Sequence, residues 1–216
     1  MRGRLLAEAL GTLSIVATVL GAGFMVGNLQ AEAALGLFMI AAAVGSVLFI
    51  VISTLAPISG AHFNPIVTAA FWFRKELPAN QALAYIFAQL FGAVIGAVLA
   101  NSMFNQATAL SQVDRFDLGA MVGESIASAG LVFLILQLIE IKKDHLIAPA
   151  VALWIFAGHL FTSSTAFANP AVTFGRIFSA APSSISIESA GYFVLAQFLG
   201  LVIALFLFAH LRKATK

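Results

Sequence analysis

Long uncharged apolar runs alternate with short polar segments along the chain, and six of these runs are long enough to cross a membrane. A helix rises about 1.5 Å per residue, so about 20 apolar residues cross a hydrocarbon layer roughly 30 Å thick. The pattern therefore predicts six transmembrane helices. They lie near residues 5–26, 33–56, 81–102, 118–140, 146–162 and 188–211.

Two further apolar stretches, Phe63–Phe73 and Phe167–Phe178, cover only about half of that thickness. An Asn-Pro pair stands near the start of each one. We expect them to be half-helices that enter the membrane and turn back. The fifth full span is the shortest, because Pro149 and the pair Gly158-His159 interrupt its apolar pattern.

Composition supports a protein surrounded by the lipid bilayer. Of the 216 residues, 61% are hydrophobic and 9% are charged, whereas about a quarter are charged in an average soluble domain. The net charge is +2 and the basic residues form short clusters, which argues against nucleic acid as a partner. The absence of cysteine excludes disulfides, thiolate catalysis and sulfur-ligated metal sites. With no catalytic set visible, we expect neither an enzyme nor a bound metal or cofactor.

The basic residues also predict the orientation. With the N-terminus in the cytoplasm and both half-helices re-entering without crossing, nine of the eleven Lys and Arg residues fall inside. The apolar run after Met1 is long enough to be the first membrane helix, retained in the protein. We expect a multi-pass protein of the cell (inner) membrane with cytoplasmic termini. The inner residues are Arg2, Arg4, Arg74, Lys75, Lys142, Lys143, Arg212, Lys213 and Lys216; Arg115 and Arg176 fall outside.

The chain repeats itself. Residues 7–12 (Ala-Glu-Ala-Leu-Gly-Thr) match residues 123–128 (Gly-Glu-Ser-Ile-Ala-Ser), and residues 63–68 match 168–173 in the same order. Each half carries three crossings, an odd number, so the second half must be inserted upside down. We expect a single channel domain over residues 1–216, with inverted repeat halves 1–105 and 115–216 and a functional site at the midplane.

The Asn-Pro pairs have a chemistry suited to that depth. Asn64 and Asn169 suit helix caps, and Pro65 and Pro170 suit first helical positions, where the missing N–H is harmless. Two helix N-termini, each with roughly half a positive charge, would then meet at the bilayer centre and repel cations. The Asn amides can donate hydrogen bonds to a passing solute. The carbonyls of the preceding loops can accept; these belong to Gly60, Ala61, His62, Ala166, Phe167 and Ala168.

The segment from Ser59 to Thr68, together with Asn169-Pro170-Ala171, resembles the aquaporin and aquaglyceroporin family, and the resemblance extends over essentially the whole chain. It implies an all-α membrane protein with six transmembrane helices and two re-entrant half-helices, a pore in each subunit and a homotetramer. It also implies that Glu8 and Glu124 brace the re-entrant loops through backbone N–H groups. A proton path through the two Glu side chains is an alternative.

Two departures from the family pattern stand in the motifs. Ile66 replaces the usual Ala of the first motif, for which we expect altered packing with conduction retained. Val172 stands where the family normally has the Arg of the outer constriction. Gapless counting places Val44 at the filter position of the second span and Ala166 in the loop. The fifth-span filter residue is either Ala157 or His159, depending on the loop alignment.

These departures predict a wide, less polar outer filter. Arg176, four residues after Val172, is interpreted either as a displaced filter charge or as a helix-end arginine that neutralises polar groups or snorkels to the interface; we favour the second. His159 either lines the pore or packs between helices. His62 is expected to hold its loop with its carbonyl facing the pore.

The expected function is a passive channel for water and small uncharged solutes. Val in place of the filter Arg resembles a bacterial branch of the family associated with arsenite and related neutral metalloid acids, and glycerol is equally plausible cargo. A secondary transporter shares inverted repeats but needs a coupling-ion site. An ion channel is disfavoured by the facing positive helix ends.

Overall fold

The computed structural model describes residues 1–214 and contains eight α-helices in that range. A single 3-10 turn, Asp144–Leu146, leads into the sixth helix. Lys216, counted above among the inner basic residues, lies outside the described residues. The helices are α1 (Arg2–Asn28), α2 (Ala33–Ser59), α3 (Pro65–Phe73), α4 (Ala79–Met103), α5 (Leu118–Glu140), α6 (Ile147–Phe161), α7 (Pro170–Arg176) and α8 (Ile187–Ala214).

Six of these helices are long and apolar enough to cross a membrane, and the two short ones, α3 and α7, start at the predicted Asn-Pro pairs. The all-α prediction with six spans and two half-helices is therefore confirmed. The fifth span is the shortest, as expected: Asp144–Phe161 has 18 residues and the lowest mean hydropathy, 1.4.

Apolar side chains cover the outside, and several polar side chains are completely buried within an otherwise apolar core. Leu118 is 77% exposed and Phe87 is 71% exposed, whereas Glu8, Gln89 and Glu124 are completely buried. In lipid the apolar exterior is well solvated, but a buried carboxylate or carboxamide must find hydrogen-bond partners within the protein. The polar interior consequently determines which parts of the chain have to come together.

Small residues allow the long helices to approach closely in matching pairs, α1 with α4 and α5 with α8. A Cβ atom at Gly92 of α4 would clash with the Ala9 carbonyl of α1, and one at Gly200 of α8 would lie 2.5 Å from the Ser125 carbonyl oxygen of α5. Backbone-to-backbone contact of this kind is typical of membrane helices, where van der Waals packing replaces the hydrophobic effect.

We predict that Gly92→Ala lowers the stability of the protein by about 1–3 kcal/mol, because the added methyl group has only backbone atoms to displace. The measurement is the apparent melting temperature in detergent, followed by tryptophan fluorescence. Gly191→Ala is the matched control, since a Cβ there meets nothing within 4 Å. Equal melting temperatures for the two variants would contradict the close α1–α4 contact.

Candidate pore and its lining

The N-termini of α3 and α7 meet, and their cap residues hold them together. Asn64 accepts a hydrogen bond from the N–H of Ile66 at 3.0 Å, and Asn169 accepts one from the N–H of Ala171 at 3.0 Å. The Nδ2 atom of Asn64 donates to the Ala168 carbonyl at 2.7 Å. Each half-helix is therefore capped by the Asn that also bonds to the opposite loop.

The reverse bond completes the link: Nδ2 of Asn169 donates to the Phe63 carbonyl at 2.8 Å. A carboxamide nitrogen carries two hydrogens, and one hydrogen of each Asn is used in this way. The second N–H of each Asn has no acceptor in the described part of the chain, and both side chains border a cavity.

The loops before the caps have a strained backbone, with the same pattern in both. Positive φ angles occur at Gly60, Ala61 and Phe63 in the first loop, and at the corresponding residues of the second. Non-glycine residues in this region cost about 1–3 kcal/mol each and persist only where the surroundings hold them. The second set is Thr165, Ala166 and Ala168.

A buried carboxylate holds the first loop. Glu8 accepts hydrogen bonds from the N–H groups of His62 at 3.0 Å and Phe63 at 2.7 Å, and from the Ser59 hydroxyl at 2.7 Å. Nε2 of Gln89 donates a further bond at 2.7 Å. All four partners donate, which suits a carboxylate that can only accept.

The second loop has the same arrangement. Glu124 accepts from the N–H groups of Phe167 at 2.8 Å and Ala168 at 3.0 Å, and from Nε2 of Gln197 at 2.6 Å. Gln197 also donates to the Thr173 hydroxyl on α7 at 2.9 Å. One glutamine thereby ties the loop carboxylate to the half-helix.

Gln89 makes the equivalent bond to Thr68 on α3, at 2.9 Å. Sequence reasoning missed both glutamines, although a signal was present. The segment Ala88–Gly92 reads Ala-Gln-Leu-Phe-Gly, and residues 196–200 read Ala-Gln-Phe-Leu-Gly. This third match between the halves places a lone amide in the middle of an apolar span, where an unpaired polar group is costly.

A cavity of about 100 Å³ runs past the two Asn side chains. One side is polar: Asn64, Asn169 and the two re-entrant loops border it. The remaining wall is mostly aliphatic. It comprises Ile15, Val19, Val44, Leu48, Ile52, Val67, Leu131, Ile135, Ile139, Ile147, Val151, Ile155 and Val172.

The residues predicted for the outer filter all border this pore cavity: Val44, His159, Ala166 and Val172. Ala157 lies on an exposed face of α6 instead, so of the two alternatives only His159 reaches the cavity. The carbonyl-bearing residues predicted for the loops border it as well. These are Gly60, Ala61, His62, Phe167 and Ala168.

The remaining motif residues are buried behind the wall. Ile66 and Ala171 have no exposed surface, and neither they nor Pro65 and Pro170 border the cavity. The bulk that Ile66 adds is therefore accommodated in the packing between helices.

Arg176 lies inside the protein at the end of α7. Its side chain is only 3% exposed, which rules out snorkelling to the interface. Its Nε donates to the Ser183 carbonyl, and its guanidinium carbon lies 3.3 Å from the centre of the Phe167 ring. The arginine thus satisfies a polar group near the helix end, as one interpretation predicted, and it also borders the pore cavity.

A second cavity of about 230 Å³ adjoins the first at the end that carries Arg115. We name it the outer vestibule, following the predicted orientation, and it is bordered by Leu37, Ile40, Arg115, His159, Thr165, Arg176 and Ser183, among others. His159 and Arg176 are the two residues that border both cavities. We name the boundary between the two cavities, which both of these residues border, the passage.

The opposite end of the pore cavity has different chemistry at corresponding positions. His62 stacks on Phe71, with ring centres 4.6 Å apart and an angle of 17° between the planes. Counted from the two Asn residues, His62 corresponds to Phe167, and Phe71 corresponds to Arg176. An aromatic pair at one end is replaced by an arginine–aromatic pair at the other.

The family model described as "Major intrinsic protein" matches residues 1–165. The chain belongs to the major intrinsic protein family. Proteins of this family are membrane channels, so this major intrinsic protein is a multi-pass channel and not an enzyme.

Comparison with individual proteins agrees. This major intrinsic protein is 39% identical to the aquaglyceroporin AqpS of Rhizobium meliloti, over 99% of this chain and 91% of that one. It is 30% identical to the glycerol uptake facilitator protein-like 6 of Lactiplantibacillus plantarum, over 93% and 94% of the two chains. The structure of the aquaglyceroporin from Plasmodium falciparum has the same fold, with a TM-score of 0.76 at 18% identity, covering 94% of this chain and 92% of that chain.

We predict that Glu8→Gln and Glu124→Gln each destabilise the protein, because the new NH₂ group faces N–H donors and at least one charge-assisted bond, worth about 1.5–3 kcal/mol, is lost. Thermal unfolding in detergent measures the effect. Glu32→Gln, at an exposed position, is the control and should leave the melting temperature unchanged. Unaltered stability in both buried variants would show that the carboxylates do not hold the loops.

Proposed function

We propose that this protein is a passive, bidirectional channel for water and small uncharged solutes, with glycerol and neutral metalloid acids as cargo. The observation that carries the proposal is the meeting of two capped helix N-termini beside a narrow cavity, with an Asn amide of each on the polar side. Facing positive helix ends repel cations at this depth. A neutral polyol finds donors and acceptors on one side and aliphatic contacts on the other.

The relatives support this cargo, since one is an aquaglyceroporin and another a glycerol uptake facilitator by name. Arsenious acid is uncharged near neutral pH and resembles a polyol in shape and hydroxyl groups. Because the chain has no cysteine, no thiolate is available to capture trivalent arsenic on its way through. A metalloid acid therefore passes by the same contacts as glycerol.

We propose a wide outer filter made by Val44, His159, Ala166 and Val172, with no cation in the first turn of α7. Arg176 lies four residues further along the chain, which is about 6 Å along a helix. In this arrangement the filter charge is displaced outward, and the space that an arginine at position 172 would fill is left to the solute.

The matching contacts of Glu8 with Gln89 and of Glu124 with Gln197 support an inverted repeat with halves 1–105 and 115–216 in a single channel domain. We propose a homotetramer with a pore in each subunit, embedded in the inner membrane with cytoplasmic termini. A groove between α2 and α6, bordered by Ala42, Ser46, Phe49 and Leu153 among others, gives a helix of a neighbouring subunit a surface to pack on.

The test is osmotic swelling and shrinkage of proteoliposomes. With sucrose outside, water flux should exceed that of protein-free vesicles, and with glycerol or arsenious acid outside, the vesicles should shrink and then swell again. An imposed proton gradient should leave the rates unchanged. Saturable uptake that follows an ion gradient would indicate a secondary transporter instead, and charge movement under voltage would indicate an ion channel.

The width of the filter gives a sharper prediction. Val172→Arg should reduce glycerol flux at least about tenfold, equivalent to about 1.4 kcal/mol in the barrier, and reduce water flux less, because the long side chain narrows the cavity for the larger solute. Val172→Met separates length from charge. Equal glycerol and water effects in both variants would show that residue 172 does not determine solute size.

The orientation can be tested with single cysteines, since the natural chain has none. Gln112→Cys and Lys143→Cys are both at exposed positions. We predict that a membrane-impermeant maleimide added to intact cells, with the outer membrane permeabilised where one is present, labels the cysteine at position 112 and not the one at position 143. Labelling of position 143 alone would reverse the proposed orientation.

A further inference from the structure

The outer vestibule brings two guanidinium groups to one aromatic ring. The guanidinium carbon of Arg176 lies 3.3 Å from the centre of the Phe167 ring, and that of Arg115 lies 5.6 Å from it. Neither arginine has an ion pair with a carboxylate among the described residues. Two buried or half-buried like charges close together in a site of low dielectric are unfavourable unless an anion compensates them.

The nearby carboxylates are committed elsewhere. Glu124 accepts from the backbone of the second loop, and Asp114 accepts from the Ser189 hydroxyl and the Phe116 N–H. These two hydrogen bonds hold the pKa of Asp114 below its ordinary value. Neither guanidinium group is therefore hydrogen-bonded to a carboxylate in the described part of the chain.

Part of the hydrogen-bonding capacity of the arginines is also unused. Arg176 donates through Nε to Ser183, and no acceptor for its terminal nitrogens exists among residues 1–214. Arg115 donates through Nε to Ser184 at 2.7 Å and through one terminal nitrogen to Pro182 at 2.8 Å. Arg176, although 3% exposed, thus points donors into the vestibule.

His159, which also borders the vestibule, adds an acceptor. Its Nδ1 lies 2.8 Å from the Ile155 carbonyl, which can only accept, so in the neutral ring Nδ1 carries the proton. Nε2 is then an acceptor, and it has no partner in the described part of the chain. The vestibule therefore presents guanidinium donors and one imidazole acceptor.

We propose that the outer vestibule binds a small hydroxylated monoanion, such as a hydroxycarboxylate, with its anionic oxygens on Arg176 and Arg115 and its hydroxyl group donating to His159. Planar paired donors suit a carboxylate. Since His159 and Arg176 flank the passage between the two cavities, the bound anion slows the flux of neutral solutes. The proposal rests on the channel function proposed above and adds a regulatory ligand to it.

The experiment measures glycerol swelling of proteoliposomes while external sodium chloride is replaced, mole for mole, by sodium glycolate or sodium acetate at neutral pH. We expect glycolate to slow glycerol flux by at least about twofold, saturating in the millimolar range that a few charge-assisted bonds support. Acetate, which lacks the hydroxyl group, should bind about 2–10-fold more weakly, corresponding to one hydrogen bond.

Variants locate the site. Arg176→Gln should abolish the glycolate effect, Arg176→Lys should retain part of it, and His159→Leu should remove the preference for glycolate over acetate. Arg2→Gln is the control: it loses the same charge, but at the start of α1, about 25 Å along the helix from Val19 at the pore cavity. Glycolate should inhibit this variant as it inhibits the natural protein. If Arg176→Gln fails to fold, Arg115→Gln is tested instead. We expect it to raise the glycolate concentration that gives half of the maximal inhibition several-fold.

These experiments distinguish failure of the anion site from failure of the channel function. Normal glycerol flux that glycolate leaves unchanged, or inhibition that persists in Arg176→Gln, would overturn the anion site and leave the channel intact. Glycerol and water fluxes equal to those of empty vesicles would overturn the channel itself. Glycolate binding to the solubilised protein, measured by calorimetry and lost in Arg176→Gln, supports the site without reference to flux.

Discussion

The structure depends on two buried carboxylates that hold strained backbone in place at the middle of the membrane. Lipid offers no partner for a free amide, so a non-helical loop at that depth must be satisfied by the protein itself. Glu8 and Glu124 each accept from two successive loop N–H groups. These bonds fix the left-handed residues, and the left-handed residues determine where the half-helices begin and where the loop carbonyls point.

The same framework is used twice, but the two ends of the pore differ. Each half supplies a Glu, a Gln and a half-helix Thr in a connected chain of hydrogen bonds. The glutamates hold the loops through backbone N–H groups, including those of His62 and Phe167, so the side chains at these positions can differ between the two halves. One end consequently carries His62 on Phe71, and the other carries Arg176 on Phe167. Duplication fixes the scaffold, and the side chains at positions 62, 71, 167 and 176 give each mouth its chemistry.

Much of this could be predicted because lipid imposes strong local rules. Span lengths follow from bilayer thickness, and the Asn-Pro pairs signal their own helix starts. Gln89 and Gln197 were missed, because a single amide in an apolar span does not reveal its partner on another helix. The choice between Ala157 and His159 could not be made, because it depends on how many residues the loop between α6 and α7 has lost relative to the family, and hence on which face of α6 meets the pore. The burial of Arg176 depended on the residue 177–186 segment folding over α7, where Ser183 accepts its Nε hydrogen bond.

The position of Arg176 separates two properties that a filter arginine normally combines. A cation repels other cations over several ångströms in a low dielectric, so its field reaches the passage from the second turn of the half-helix nearly as well as from the first. Its volume acts only where it lies. Resting against the Phe167 ring, Arg176 contributes charge at the passage, while Val172 occupies the first turn with a short aliphatic side chain. In the filter proposed above, the charge of Arg176 would exclude cations while Val172 leaves room for solutes larger than water.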